Sequence, residues 1–155
     1  MTQDSWYFAY GSNMSIDRKQ FRTGSIREQH CCRLQNFRFA FNKAAADGTA
    51  YANIMADPAS IVWGVCYLCD EEAFTTLDTY EGVNLGHYQR QDVTVVTDAG
   101  DELEAITYTA REQRLTSETL PRDDYLQSVL AGAHEHGLPP DYIALIRKCG
   151  ENLPS

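Results

Sequence analysis

The sequence is poor in basic residues and lacks the common phosphate-binding loops. Its 22 Asp and Glu residues outnumber its 13 Lys and Arg residues, so the formal net charge is -9. This charge argues against nucleic acid as a partner, because such binding depends on basic side chains that neutralise phosphates. It argues equally against binding to an anionic membrane surface. Walker and GxGxxG patterns are absent, and with them the usual sequence signals of nucleotide binding.

The apolar runs are also too short for a membrane span, which needs about 18 consecutive residues. The longest run, Ile61–Leu68, predicts a buried strand instead. Met1–Ser5 is polar and lacks the basic start and apolar core of a secretory signal. The five cysteines are odd in number and show no disulfide-scaffold spacing. We therefore expect a reducing compartment, the cytoplasm.

Length and local signals predict one domain over residues 1–155 with helices and strands mixed. Ser15 can cap a helix that runs to about Arg22, and Asp70 can cap another that ends in a left-handed turn at Gly82. Two further helices should begin at Pro121 and Asp141.

Strands should lie between these helices, without strict alternation of strand and helix. Residues 43–58, rich in Ala, Gly and Asp, predict mainly a loop with a short extended piece at 51–55. We predict an α+β domain with a curved or barrel-like sheet. The strands are expected at residues 6–10, 31–41, 61–68, 88–97 and 102–110, the last two forming a hairpin turned by residues 98–101.

The first candidate site is the loop Tyr10-Gly11-Ser12-Asn13, where a predicted strand ends and a helix begins. Free backbone N–H groups at such a junction can bind a carboxylate or a developing oxyanion. Gly11 permits the backbone to approach a ligand closely. The alternative is a tight turn with an Asn or Ser cap, which is common in proteins.

The second candidate is Glu81, near the C-terminus of the predicted helix and one turn after Asp78. The negative end of the helix dipole and the like charge of Asp78 should both raise the pKa of an enclosed Glu81. A carboxylate with a raised pKa can act as base and then as acid near neutral pH. The alternative is a solvated surface glutamate before a capping glycine.

Other reactive residues point to structure rather than chemistry. Cys66 and Cys69 lie on a strand, where residues three apart point to opposite faces, so we assign them to the core or its boundary. His30-Cys31-Cys32 lacks the spacing of metal ligands. His134 and His136 suit a helix C-terminus and receive no chemical role. The Gly-x-Ser-x-Gly elbow of serine hydrolases is absent.

Several short motifs become informative because they occur together and in a set order. The segment Phe8-Ala9-Tyr10-Gly11-Ser12-Asn13-Met14 resembles the signature of the γ-glutamylcyclotransferase-like (AIG2-like) family, and the resemblance spans about residues 6–150. The other matching pieces are Ala52-Asn53-Ile54, Val62-Trp63-Gly64-Val65, Leu77-Asp78-x-x-Glu81-Gly82, Gly86-x-Tyr88 and Gly137-Leu138-Pro139.

The resemblance implies a small mixed β-barrel flanked by helices, with no metal and no organic cofactor. It implies that Glu81 is the catalytic acid/base. Within the family, the form of the loop with Asn13 is closest to the enzymes that act on γ-glutamyl amino acids. The substrate-binding residues implied by the family are Tyr10, Gly11, Ser12, Asn13 and Tyr88, with Tyr108 and Tyr125 as further tyrosines of the pocket.

The activity implied by the resemblance is the cyclisation of γ-glutamyl amino acids or peptides to 5-oxoproline with release of the free amine. Two alternatives stay open: a hydrolase of γ-glutamyl amides, and a non-catalytic module that binds a small amino-acid-like ligand. A small γ-glutamyl compound is the expected partner, whereas nucleic acid and membrane are not. A homodimer is known in the family, but no feature of this sequence decides the oligomeric state, the leaving amine or a redox role for the cysteines.

Overall fold

The computed structural model describes residues 4–151, so residues 1–3 of the Met1–Ser5 segment and residues 152–155 lie outside the described part. Five strands form a closed barrel in the order β1-β3-β2-β4-β5. The α+β class and the barrel flanked by helices are confirmed. The strands are β1 Ser5–Ala9, β2 Gln29–Ala44, β3 Ala50–Cys69, β4 Tyr88–Thr97 and β5 Glu102–Ala110, and the α-helices are α1 Ile16–Thr23, α2 Glu71–Tyr80, α3 Asp123–Glu135 and α4 Pro140–Glu151.

A parallel pair closes the barrel and makes it a mixed sheet. β1 runs antiparallel to β3 but parallel to β5, with Tyr7 opposite Ile106. The β4–β5 hairpin has the predicted turn, in which Thr97 donates from its backbone to Asp101 at 2.9 Å. Closure removes free strand edges and leaves the strand ends as the places where loops can form a site.

For residues 43–58, the predicted extended piece at 51–55 and the loop at 45–49 are confirmed, whereas residues 43–44, 50 and 56–58 belong to strands and not to the predicted loop. β3 begins at Ala50 and continues to Cys69 against β2. The pairing register shifts between Ala56 and Ile61, so residues 57–60 fall outside the regular ladder. Pro58 lies in this irregular stretch, where its missing N–H costs no ladder hydrogen bond. The local composition therefore indicated an interruption of the strand. Pairing with β2 on both sides of residues 57–60 nevertheless makes β3 continuous.

The predicted helix ends at Ser15, Asp70 and Gly82 are confirmed, whereas α3 begins two residues later than predicted and α4 begins one residue earlier. Ser15 Oγ accepts from Arg18 N at 3.3 Å, and Asp70 accepts from Ala73 N at 2.8 Å. Gly82 has φ 63°, the left-handed turn expected after α2. α3 begins at Asp123 rather than Pro121, because Arg122 has an extended backbone that places the proline outside the helix.

The cysteines belong to the barrel and its packing. Cys66 and Cys69 are buried, as predicted for core or boundary positions. Within residues 4–151, the structure contains no group of three or more His, Cys, Asp or Glu side chains placed to hold a metal ion. No helix in this range combines the length and apolar content needed to cross a membrane.

Candidate active site

One cavity of about 790 Å³ collects every residue that the sequence singled out as a site residue. Its walls come from the loop after β1, the end of α2, the start of β4, the end of β5 and the first turn of α3. The structure therefore brings the predicted residues together, while their roles stay predictions. They are Tyr10, Gly11, Ser12, Asn13, Glu81, Tyr88, Tyr108 and Tyr125.

The loop after β1 presents unused backbone donors to this cavity. Residues 12–14 form a short 3-10 turn in which Met14 donates back to Gly11 at 3.1 Å. Among the described residues, no hydrogen-bond acceptor pairs with the backbone N–H groups of Gly11, Ser12 and Asn13. The first N–H groups of a helical turn lack partners for geometric reasons, which leaves them free for an anionic or polarised oxygen.

Asn13 links this loop to the carboxylate of Glu81. The Asn13 side chain is buried, and its Nδ2 donates to Tyr7 Oη at 2.9 Å and to Glu81 Oε1 at 3.3 Å. Its Oδ1 accepts from Arg22 Nη1 at 2.8 Å. Since every polar atom of the amide is engaged, its orientation is set, and Asn13 holds the carboxylate in one position.

Glu81 is partly exposed as a residue, but its carboxylate is enclosed. It caps the C-terminus of α2, where its backbone N–H donates to Leu77 O at 2.8 Å and Gly82 turns the chain away. Burial raises the pKa of Glu81 to about 7, against the opposing effects of Arg22 and Lys43. A carboxylate that titrates near 7 can both accept and return a proton under neutral conditions. The alternative of a solvated surface glutamate is wrong.

The cause of this shift differs from the predicted one. Asp78 was expected to raise the pKa of Glu81 by like charge, but burial is the main cause. The Asp78 carboxylate instead forms a two-pronged ion pair with Arg90 at 2.8 and 2.7 Å. It also accepts from Tyr108 Oη at 2.7 Å. Pairing with Arg90 compensates the negative charge of Asp78 locally.

The tyrosines form a rigid wall of the cavity. Tyr88 Oη donates to Ala52 O at 2.7 Å, and Ala52 N donates to Tyr125 Oη at 3.2 Å. Tyr10 Oη donates to the backbone oxygen of Tyr108. Burial raises the pKa of each of these four phenols, so all stay protonated at neutral pH. Each of their hydroxyl groups forms a hydrogen bond with another group of the protein, and these bonds fix the shape of the cavity wall.

Sequence reasoning missed several residues of the cavity, of which Lys43 and His87 are the most consequential. Lys43 is 5% exposed, and its Nζ lies 2.8 Å from His87 Nδ1. The two residues are 44 positions apart, on β2 and in the turn before β4. Nothing in the sequence marked Lys43, because the strand that carries it also contains Arg33, Arg38 and Asn42. Tyr7 and Arg22, which contact Asn13, were also missed.

We expect the enclosed Glu81 to make stability depend on pH. Its folded pKa of about 7 exceeds the ordinary 4.5, so the unfolded chain loses this proton first. The contribution of Glu81 to the free energy of unfolding should therefore fall between pH 4.5 and 7, by up to about 3 kcal/mol. Glu81→Gln has no carboxylate here and therefore no such loss. Chemical denaturation should show that the stability of the variant relative to wild type is higher at pH 8 than at pH 4.5.

Glu72→Gln is the matched control, because it makes the same change at an exposed position on the same helix. Its stability difference from wild type should change less between pH 4.5 and 8 than that of Glu81→Gln does. A change for Glu81→Gln no larger than that for Glu72→Gln would contradict the enclosure of the Glu81 carboxylate.

Comparison with known proteins shows the family of this chain. The model of the AIG2-like family matches residues 61–146, more than half of the chain. The chain belongs to the AIG2-like family. This AIG2-like chain is 33% identical to γ-glutamylcyclotransferase of Bos taurus over 143 residues, which cover 88% of this chain and 73% of the relative. The Homo sapiens protein of the same name is 31% identical over 141 residues, with the same coverage.

Solved structures extend the likeness to the whole barrel. A structure named γ-glutamyl cyclotransferase superposes with a TM-score of 0.85 at 29% identity, covering 94% of this chain and 87% of that one. A glutathione-specific γ-glutamyl cyclotransferase from yeast has a TM-score of 0.70 at 11% identity, covering 94% and 95%. At that identity, the yeast structure shows a shared fold alone.

Proposed function

We propose that this AIG2-like chain cyclises γ-glutamyl amino acids or peptides, releasing 5-oxoproline and the free amine. The observation that carries the proposal is the enclosed Glu81 carboxylate, held by Asn13 beside the free backbone donors of residues 11–13. The names of the relatives at 31–33% identity support it.

The reaction joins two ends of one substrate. The α-amine attacks the γ-carbonyl carbon, a new C–N bond closes a five-membered ring, and the bond to the leaving amine breaks. The α-ammonium must lose one proton to become the nucleophile and a second once its C–N bond has formed, and the leaving nitrogen must gain one for its bond to break. Ionised Glu81 takes the first proton and returns it to the leaving nitrogen, so one residue serves both transfers and is regenerated. The second proton passes from the ring nitrogen to the released amine, which leaves as an ammonium.

The remaining parts of the cavity assist without exchanging protons. In this mechanism the free N–H groups of residues 11–13 stabilise the negative charge that develops on the carbonyl oxygen. The rigid tyrosine wall favours a folded glutamyl chain in which amine and carbonyl lie close together. Since Asn13 contacts both Glu81 and Tyr7, it aligns the carboxylate with this wall.

Product identity tests the proposal. We expect purified protein to release 5-oxoproline from at least one member of a panel of γ-glutamyl amino acids, glutathione and γ-glutamyl amines, as followed by mass spectrometry. The best substrate would identify the leaving amine. Release of glutamate instead would establish hydrolysis. Binding of a panel member without any product would identify a binding module and contradict the proposed activity.

We also propose the cytoplasm as the compartment. All five cysteines have free thiols, although Cys32 and Cys66 come close enough to interact. A reducing environment keeps such neighbouring thiols unpaired.

A further inference from the structure

Basic side chains are concentrated around the cavity of this acidic protein. Most of them already use their donors on other parts of the protein. Arg22 donates to Asn13, Arg18 to Ser128 and Arg122 to Asp124. The basic residues lining the cavity are Arg18, Arg22, Lys43, Arg114 and Arg122, together with His87.

Lys43 differs from these arginines because its charge is buried without an anion. Its ammonium donates to His87 Nδ1 at 2.8 Å and forms no ion pair with a carboxylate of residues 4–151. Its Nζ lies 5.4 Å from the ring centre of Tyr51 and 5.5 Å from that of Tyr88. An ammonium has three donors, so the contact with His87 leaves two for a ligand. Burying such a charge is costly unless an anion pairs with it.

His87 contacts this cation directly, and Arg114 holds the turn that carries His87. His87 N donates to Gly82 O at 3.1 Å, which ties the imidazole to the residue after Glu81. Arg114 Nη2 donates to Leu85 O at 2.9 Å, on the turn that leads to His87. Because Nδ1 accepts from Lys43, the imidazole is neutral and carries its proton on Nε2. The group is therefore cationic as a whole.

Two sets of basic residues thus act on Glu81. Arg22 reaches it from α1 through Asn13, on the side of the loop after β1. Lys43 acts on it from β2, on the side of His87 and Arg114. The scissile amide must lie at Glu81, with the glutamyl part on one side and the leaving amine on the other. If the loop holds the glutamyl part, the Lys43 side faces the leaving group.

We propose that Lys43, positioned by His87 and supported by the charge of Arg114, binds the α-carboxylate of the leaving amino acid. This inference rests on the proposed cyclisation and narrows its substrates to γ-glutamyl compounds whose amine bears a carboxylate next to the nitrogen. Such a carboxylate is separated from the scissile nitrogen by a single carbon, so it lies close to Glu81 and within the same cavity. Amines without that carboxylate leave the buried ammonium unpaired and are poorer substrates.

The matched substrates γ-glutamyl-L-alanine and γ-glutamylethylamine differ only in this carboxylate. We expect wild type to favour γ-glutamyl-L-alanine in kcat/KM by about 10- to 100-fold, the range typical of a hydrogen bond between charged groups. Lys43→Met should abolish this preference, since methionine keeps an unbranched apolar stem without the charge. Lys148→Met, at an exposed lysine outside the cavity, should keep it.

The ratio of the two substrates is measured on one protein preparation, so a partly unfolded variant does not alter it. Preference retained by Lys43→Met, an equal loss for both substrates, or no preference in wild type would overturn the assignment. An equal loss would place the γ-glutamyl carboxylate, which both substrates share, at Lys43.

Calorimetric binding to Glu81→Gln separates this proposal from the proposed activity. We expect tighter binding of γ-glutamyl-L-alanine than of γ-glutamylethylamine, and loss of that difference when Lys43→Met is added. A difference in binding without 5-oxoproline from wild type would leave the carboxylate subsite standing and refute the cyclisation. 5-Oxoproline from wild type without a difference in binding, or no binding of either compound, would refute the subsite.

Discussion

Glu81→Gln is expected to lower kcat by roughly 10²- to 10⁴-fold, the usual contribution of a general acid/base. Glutamine cannot accept the proton of the α-ammonium, whereas it keeps the size of the side chain. Its amide oxygen can still accept from Asn13 Nδ2, so the position of the side chain is preserved. Steady-state release of 5-oxoproline measures the loss, and calorimetry should show substrate binding close to that of wild type.

Glu72→Gln again serves as the control, because the same change at an exposed position should leave turnover unchanged. Turnover of Glu81→Gln within a few-fold of wild type would refute the role of Glu81. Loss of binding together with turnover would make Glu81 a substrate ligand rather than a proton carrier.

Gly64→Ala should destabilise the protein by about 2–4 kcal/mol, the largest effect on stability that we predict. A Cβ at this position would lie 2.3 Å from the backbone oxygen of Ala9 and 2.9 Å from the ring of Phe8. The backbone oxygen cannot move aside without disturbing the pairing of β1 with β3. Phe8 is fully buried, so its ring has little room to adjust.

Gly48→Ala provides the comparison for Gly64→Ala. Gly48 has φ 87° in the loop between β2 and β3, and apart from its two chain neighbours no described residue has an atom within 4 Å of the place that a Cβ would take there. Only backbone strain opposes alanine at this position, at a cost of about 1–2 kcal/mol. Thermal or urea denaturation should therefore rank Gly64→Ala as the less stable variant. The reverse order would show that β1 and β3 can separate at Ala9 without cost.

Helix ends were predictable because short-range contacts produce them. Ser15 and Asp70 accept from backbone N–H groups three residues later, and Gly82 adopts the left-handed turn that glycine favours. The continuation of β3 past Pro58 was not predictable in this way. The pairing of Ala56 with Phe37 and of Ile61 with Gln35 involves residues 19 and 26 positions apart, which no local pattern contains.

The candidate site likewise has features that the sequence predicted and features that only the folded chain shows. The ordered motifs of the family indicated the loop at residues 10–13 and Glu81, and all the predicted residues line one cavity. The direction of the Glu81 pKa shift was predicted, but burial rather than the like charge of Asp78 is its main cause. Neighbouring charge in the sequence suggested Asp78, whereas the folded chain pairs Asp78 with Arg90 and raises the pKa of Glu81 by burial.

Residue order alone thus indicates the caps, the turns, the family and the carboxylate, because each depends on neighbours in the chain or on motifs in a set order. The other features of the site depend on closure of the barrel. It encloses Glu81, and it places Lys43 of β2 against His87 of the turn before β4. Burial and contacts between distant segments exist only after the strands pair, so the enclosed carboxylate and the unpaired buried ammonium are properties of the tertiary structure.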